Sequence, residues 1–244
     1  MESFSILTLL AFGFFLGLKH AVEADHLAAV STIVTQRKSV WSASLVGGLW
    51  GVGHTISLFV AGIVVILFRF EISPRTEQIL EFCVALMLIV LGVDALRRLV
   101  KGGQIHMHTH KHGDVVHFHP HVHEPEAAHA PVIKPEHSHR SARVGFRPVV
   151  IGMVHGLAGS GALMLLVLTT ISSPAAGLLY IVIFGIGSIG GMMLMSLVLG
   201  LPLHMTAGRF TRLEWIFRGG AGIFSFGLGL FMAYNIGVVD GLFF

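Results

Sequence analysis

The sequence has a single cysteine, Cys83, among its 244 residues. One thiol per chain excludes an internal disulfide framework, a CxxC redox pair and a metal site built from several thiolates. Charge is also scarce, because Asp, Glu, Lys and Arg together make up only 12% of the residues. The sequence contains neither an HExxH motif nor a complete set of desaturase histidine boxes. These absences disfavour redox proteins and metal-dependent enzymes of the membrane.

Apolar residues take the place of charge, since 54% of the sequence is hydrophobic and its mean hydropathy is +0.80. No soluble domain of this size has such a composition. Six apolar runs are long enough to cross a bilayer, and they cover roughly residues 5 to 34, 42 to 68, 78 to 96, 149 to 171, 177 to 201 and 216 to 239. We therefore predict an all-α, polytopic membrane protein with six transmembrane helices.

The two halves of the sequence resemble each other weakly. Three segments recur in the same order at offsets of 134 to 137 positions: residues 17–20 with 152–155, 51–54 with 185–188, and Glu77 with Glu214. Each half has three spans, an odd number, so the halves must have opposite orientations, as in many secondary transporters. We predict a three-helix membrane repeat at 1–96, a histidine-rich loop at 97–148 and an inverted second repeat at 149–244.

The basic residues predict the orientation of these spans. Eight Lys and Arg lie between Arg97 and Arg147, and the loops after the first and fifth spans are also basic. Only Arg69 and Arg75 fall in connections on the other side. We predict a multi-pass protein of the cell (plasma or inner) membrane, with the long loop in the cytoplasm and both termini outside.

The most informative segment lies near the middle of the first span and carries five ionisable side chains: Lys19, His20, Glu23, Asp25 and His26. A charged group at the bilayer centre costs at least ~3 kcal/mol on insertion scales, so such residues usually mark an ion path, a proton relay or a counter-ion. Two imidazoles and two carboxylates within seven residues are also a set of metal ligands. The segment predicts a metal site at the midplane.

The geometry of that site stays open at this stage. At about 100° per residue, an unbroken helix can offer His20, Glu23 and His26 to one ion, but it turns Asp25 to the other side. Either the span is unwound around residues 22 to 24, or Asp25 has a supporting role, such as orienting an imidazole or pairing with Lys19. The alternative without a metal is a structural set, in which Lys19 pairs with Glu23 and the histidines bond to backbone carbonyls.

Two further histidines are candidate ligands. His54 and His155 are each a lone histidine in a glycine-rich apolar span. A lone buried histidine is more often hydrogen-bonded than metal-bound, but both lie in segments that recur between the halves, which favours a ligand role. The predicted metal ligands are therefore the following: His20, Glu23, Asp25, His26, His54 and His155.

The predicted loop carries eleven of the sixteen histidines. Prolines interrupt the tract, which cannot bury a core, so we expect a disordered loop with capacity for divalent metal. Imidazole has an ordinary pKa of ~6.5, so metal loading of this loop should fade below about pH 6. The alternative is a solvated spacer. The loop ligands that we predict are His106, His108, His110, His112, His117, His119, His121 and His123.

The segment from His20 to His26 resembles the H-x4-D-H signature of the nickel/cobalt transporter family, and the chain as a whole resembles its six-span NicO/UreH-like branch. Residues 48–55 and 154–160 are similar to two further segments of that family. The resemblance implies permeation of Ni²⁺ or Co²⁺, with His20, Asp25 and His26 as the essential motif. Two departures matter: the larger transporters have eight spans and usually an aspartate at the position of Glu23, and six-span relatives with histidine-rich loops include exporters.

Ligand chemistry points the same way, because imidazole with carboxylate suits Ni²⁺, Co²⁺ and Zn²⁺. We predict a permease, not an enzyme, for divalent transition-metal cations, with Ni²⁺ first and Co²⁺ next; zinc stays open. Uptake is slightly favoured over efflux, and the alternative is an accessory protein that delivers metal to a nickel enzyme such as urease. The ion is substrate and no cofactor is expected. The expected partners are the lipid bilayer and a candidate cytoplasmic metallochaperone, without nucleic acid, and the oligomeric state stays open.

Overall fold

The computed structural model describes residues 2–35, 37, 39–68, 73–101, 106–112, 115–121, 145–158, 171, 173–206 and 211–243. Most of this part of the chain is helical. Its helices are α1 (Glu2–His20), α2 (Ala24–Val34), α3 (Val40–Phe68), α4 (Pro74–Lys101), α5 (Arg147–Gly156), α6 (Pro174–Thr206), α7 (Thr211–Tyr234) and a π-helix (Asn235–Val239). Two strands, β1 (His106–His112) and β2 (Val115–His121), pair between α4 and α5.

The first predicted span is broken rather than continuous. Helix α1 ends at His20 and α2 begins at Ala24, with an angle of 56° between the two pieces. Glu23 has extended backbone angles, φ −65° and ψ 149°, which no helix interior adopts. The Val22 amide still bonds to the Lys19 carbonyl at 3.0 Å, so the helix tightens into a turn before it stops. The span is therefore unwound around residues 21 to 23, a point that the sequence left open.

Four helices of the described chain are long and apolar enough to cross a membrane by themselves, and the bent pair of α1 and α2 makes a fifth candidate span. The four lie at Val40–Ile66, Pro74–Lys101, Pro174–Pro202 and Arg212–Val239. The remaining predicted span, 149 to 171, is described only through α5 and its following turn, since residues 159–170 lie outside the described ranges. The helical membrane architecture is thus confirmed.

The two long helices α3 and α6 pack along each other at the centre of the bundle. Helix α1 lies against α6, α5 lies against α3, and α4 pairs with α7. The short helix α2 contacts α7, α6, α4 and α3, so it sits among elements from both halves of the chain. The start of α2 therefore lies where helices from distant parts of the sequence meet.

Glycines make these close helix contacts feasible. A Cβ on Gly17 of α1 would overlap the carbonyl oxygen of Phe184 on α6, and a Cβ on Gly53 of α3 would overlap that of Val149 on α5. Small residues let helices approach in a bilayer, where lipid removes the hydrophobic drive for association. The large apolar side chains that remain exposed, among them Phe15, Trp41, Val90 and Phe231, are suited to contact lipid.

Two strands lie within the segment 97–148, which the sequence analysis predicted as a loop without regular structure. Strands β1 and β2 form an antiparallel hairpin in which His106 pairs with His121 and His112 with Val115. The physical reason is the strict alternation in His-Met-His-Thr-His-Lys-His, a period of two that suits a strand. Pro120 is tolerated because both strands of a two-stranded sheet are edges.

Candidate metal site

The break in the first span brings four histidines together. His20 ends α1, His26 lies in the first turn of α2, His54 lies in α3 and His155 in the last turn of α5. Their exposed fractions are 3%, 1%, 0% and 1%. Four imidazoles from four helices thus converge in the interior of the bundle.

Two of these rings meet directly. The Nε2 atoms of His20 and His54 are 3.1 Å apart. On the other side of the His20 ring, Nδ1 lies 2.8 Å from Oε2 of Glu23. Because a carboxylate only accepts, Nδ1 carries the hydrogen and Nε2 keeps the lone pair. Glu23 thus orients His20 in the way that carboxylates orient metal-binding histidines.

Asp25 joins the other two histidines. Its Oδ1 accepts from Nδ1 of His26 at 3.0 Å and from the His26 backbone amide at 2.8 Å. Its Oδ2 accepts from Nε2 of His155 at 3.0 Å. The unwound backbone therefore presents Asp25 inward, which a continuous helix would not allow.

The donor atoms fall into two groups, each with its atoms within 4.8 Å of one another. We call His20, His26 and His54 the histidine triad, and Asp25, His26 and His155 the carboxylate triad. His26 belongs to both. Either group offers three nitrogen or oxygen donors, the kind of ligand that Ni²⁺, Co²⁺ and Zn²⁺ accept.

Several ring nitrogens of this cluster have no partner among the described residues. Buried and unpaired are Nε2 of His26, Nδ1 of His54 and Nδ1 of His155. A buried polar atom without a partner costs roughly 1–3 kcal/mol, so three in one cluster need an explanation. Ligation of a cation supplies one for Nε2 of His26, because imidazole nitrogens bind metals through their lone pairs.

Aromatic side chains enclose the cluster, and sequence analysis did not single them out. The Trp50 ring centroid lies 5.2 Å from that of His26 and 5.4 Å from that of His155. Phe184 lies 5.6 Å from His20. A signal for Trp50 was present, because it lies one helical turn before His54 on α3. These rings exclude water from the imidazoles.

A pocket of about 320 Å³ adjoins the carboxylate triad. It is lined by Glu23, Asp25, Glu81, Val84, Ala158, Met232, Asn235 and Ile236. Sequence analysis missed Glu81 and Asn235. Glu81 offered a signal, since a carboxylate within a membrane span marks a functional site by default. Asn235 begins the π-helix, and π-helical turns are frequent at functional sites.

The other predicted residues lie as follows. Lys19 is exposed, whereas Glu23 pairs with His20, so Glu23 makes a carboxylate–imidazole pair and not the Lys19–Glu23 pair of the structural alternative. Seven of the eight predicted loop ligands lie in the hairpin. His123 and the motif residue Ser160 lie outside the described residues.

The hairpin register groups its histidines. His106 faces His121, His108 faces His119 and His110 faces His117. Directly paired positions share a face of a sheet, as do alternate positions along a strand. The seven histidines of the hairpin, His112 included, therefore occupy register positions on one face, and the intervening residues occupy the other.

No family model matches the sequence and no solved structure matches it. Among curated proteins, the chain is 37% identical over 243 residues to the urease accessory protein UreH of a Bacillus species (strain TB-90), which covers 100% of this chain and 98% of that protein. It is 25% identical over 220 residues to the chloroplast protein FOR GROWTH AND FERTILITY 2 of Arabidopsis thaliana, covering 89% of this chain and 54% of that protein.

A high-affinity nickel transport protein of Cupriavidus necator is 32% identical over 74 residues, which is 30% of this chain and 20% of that protein. This short match alone defines no family. The alignment with UreH does, because it runs through essentially all of both chains at 37% identity. The chain belongs to the UreH-like branch of the nickel/cobalt transporter family.

Proposed function

We propose that the protein is a membrane permease for divalent transition-metal cations, with Ni²⁺ as the first substrate and Co²⁺ as the next. The observation that carries this proposal is the convergence of four buried imidazoles and Asp25 at a helix break inside an apolar bundle. Discontinuous helices are where transporters bind ions, since the break releases polar groups that a continuous helix would occupy.

The donor set supports the choice of ion. Imidazole nitrogens with one carboxylate suit Ni²⁺, Co²⁺ and Zn²⁺, whereas Mg²⁺ and Ca²⁺ prefer oxygen ligands. Cu(I) prefers thiolates, and Cys83 lies exposed on α4. Two relatives carry names that refer to urease accessory function and to high-affinity nickel transport, and these names favour nickel for this chain.

We also propose that the two halves are inverted repeats that place the ion at their interface. Glycine contacts recur between equivalent positions at offsets of 134 to 137 residues: Gly17 with Phe184 and Gly152 with Trp50, Gly53 with Val149 and Gly187 with Phe14, Gly92 with Phe226 and Gly229 with Ile89. A contact and its mirror at equivalent positions are what a pseudo-two-fold axis produces. In the same way, α1 packs on α6 while α5 packs on α3.

For direction, we propose uptake. The pocket beside Asp25 is lined by Glu81 near the start of α4 and by Asn235 at the end of the last span. The distribution of Lys and Arg favours the outer face for both of these helix ends. An acidic pocket on that side is suited to collect cations from outside. The sequence has no ATP-binding motif, so a proton gradient, the metal gradient or a partner drives transport.

Flux of radiolabelled Ni²⁺ into proteoliposomes tests the permease. Wild-type protein should take up Ni²⁺, and H20A, D25A or H26A should each abolish uptake while leaving the protein in the membrane. His204 is an exposed histidine of α6, so H204A is the matched control and should transport normally. Normal flux in the three site variants would reject the site.

The second candidate is an accessory protein that passes nickel to a maturing enzyme such as urease, as the name of the full-length relative suggests. The register of the hairpin favours it, because seven histidines at positions of one face, in a loop proposed to be cytoplasmic, are suited to hold metal for a metallochaperone. Tight Ni²⁺ binding without flux in proteoliposomes would favour this accessory role and reject the permease.

A further inference from the structure

The two triads are built around one shared side chain. The His26 ring centroid lies 4.1 Å from that of His20 and 4.1 Å from that of His155. His54 and His155 are farther apart, at 6.0 Å. His26 therefore stands between the histidine triad on one side and the carboxylate triad on the other.

The two nitrogens of His26 differ accordingly. Nδ1 faces Asp25 at 3.0 Å, and Nε2 is buried without a partner among the described residues. Because the carboxylate accepts from Nδ1, the lone pair of the neutral ring lies on Nε2. His26 can thus bind an ion in the histidine triad through Nε2 while Asp25 holds its other side. It can bind an ion through Nδ1 only when the bond to Asp25 opens and the ring changes tautomer, with the proton leaving Nδ1 and a proton residing on Nε2.

In each triad, one pair of donor atoms lies at the separation that ligands of one ion have. Metal–nitrogen bonds of about 2.0–2.1 Å place neighbouring ligand atoms about 2.9 Å apart in a square-planar site and about 3.4 Å apart in a tetrahedral one. The His20–His54 nitrogens lie 3.1 Å apart, and the His155 nitrogen lies 3.0 Å from the Asp25 oxygen. Two divalent ions bridged by a single imidazole would repel each other strongly in a dry site.

We propose that the ion occupies the two triads in turn, with His26 as the ligand common to both. This inference rests on the proposed permease function. Asp25 lines the pocket, so an ion from the pocket meets the carboxylate triad first. It then exchanges Asp25 and His155 for His20 and His54.

The two triads also contribute differently to ion selectivity. The negative charge of Asp25 offsets the loss of hydration water by an incoming cation. Mg²⁺ and Ca²⁺, which prefer oxygen ligands, can bind this carboxylate as well. The histidine triad offers nitrogen alone, which suits Ni²⁺ and Co²⁺. Passage from one triad to the other is therefore the step that rejects hard cations. Because each triad holds the ion with only three protein donors, neither binds it too tightly for release.

Co²⁺ binding separates this two-triad path from a single site. We would use full-length protein in which the eleven loop histidines are replaced by asparagine, so that only membrane sites bind. H54Q should leave the carboxylate triad, and H155Q should leave the histidine triad. Each should bind one Co²⁺ with an affinity within about tenfold of the parent, while H26Q should weaken binding by more than about 100-fold. H204Q is the matched control.

X-ray absorption of bound Co²⁺ gives the independent readout. The H155Q variant should show three imidazoles and no carboxylate, whereas H54Q should show two imidazoles and a carboxylate. Flux through H155Q and through H54Q should fall by at least about 50-fold although each variant binds Co²⁺, because the ion can no longer pass from one triad to the other. Where a glutamine variant unfolds, alanine at the same position replaces it.

Loss of binding in H54Q and H155Q as complete as in H26Q would overturn the proposal in favour of one joint site. Normal flux in either variant would also overturn it. If the proposed permease function is itself wrong, the parent protein should show no Co²⁺ or Ni²⁺ flux. This result is distinct from a failure of the two-triad path.

Discussion

Nε2 of His155 donates to Oδ2 of Asp25 at 3.0 Å, across a separation of 130 residues. Asp25 belongs to the first half of the chain and His155 to the second. The bond therefore joins the two halves at the point where the first span is unwound, and it gives the break a structural reason. A broken helix is stable when tertiary contacts compensate for the lost helical hydrogen bonds. Here both carboxylate oxygens of Asp25 accept hydrogen bonds from histidines.

We predict that D25N weakens Ni²⁺ binding by at least about 100-fold and abolishes flux. Asparagine keeps the size and one acceptor oxygen but removes the negative charge that offsets the ion. Isothermal titration and proteoliposome flux provide the two measurements. Asp94 offers a matched control, because it is exposed and pairs with Arg98 at 2.9 Å on α4. D94N should bind and transport normally; equal losses in both variants would contradict a specific role for Asp25.

We predict a smaller effect for E23Q. Glu23 holds the His20 ring through Nδ1 at 2.8 Å, and removal of such an orienting carboxylate typically weakens metal affinity by about 10–100-fold. Ni²⁺ titration of the purified protein checks this. E77Q, at the first turn of α4, is the control and should bind like wild type. A loss as complete as that of H20A would instead indicate that Glu23 is itself a ligand.

The sequence predicted the membrane helices and the cluster of polar residues, because apolar length and intramembrane charge are local signals. It could not decide how Asp25 is presented. Helical periodicity turns Asp25 away from His20, and only the contact with His155 in the other half shows why the helix opens.

Glu81 and Asn235 were missed for a related reason, since the pocket exists only between packed elements. Asn235 alone is a polar residue at a span end, and the carboxylate of Glu81 alone does not indicate which elements line a pocket with it. The hairpin is a different case: its alternating pattern was visible in the sequence, but the prolines and the polar composition dominated the interpretation.

We predict that G92A destabilises the bundle whereas G227A does not. A Cβ on Gly92 of α4 would lie 2.5 Å from the Phe226 backbone nitrogen on α7, and a Cβ on Gly227 would meet nothing within 4 Å. Overpacking of a close helix contact costs about 1–3 kcal/mol. Thermal unfolding in detergent should show a lower midpoint for G92A alone. Equal midpoints for the two variants would contradict the close α4–α7 contact.

We predict that E81Q slows Ni²⁺ uptake at low concentration without reducing the affinity of the buried site. Glu81 lines the pocket together with Glu23 and Asp25, so its charge concentrates cations before they reach the imidazoles. The apparent KM for flux should rise severalfold, whereas the rate of flux at saturating Ni²⁺ should equal that of wild type. Glu214 in the first turn of α7 pairs with Arg218, and E214Q should transport normally. An unchanged KM in E81Q would place the ion path elsewhere.

We predict that one face of the hairpin binds metal. Its register places seven histidines at positions of one face and the intervening residues at positions of the other face. Replacing the central pairs, His108 with His119 and His110 with His117, by asparagine should remove most of the Ni²⁺ that the loop binds at neutral pH. Serine at Met107, Thr109, Val116 and Phe118 should leave it bound. Binding to the wild-type loop should be complete near pH 8 and lost below about pH 6, because a protonated imidazole has no lone pair for the ion. Metal content measured after equilibrium dialysis distinguishes the two sets, and full loading of the histidine-to-asparagine variant would mean that the hairpin face is not a metal surface.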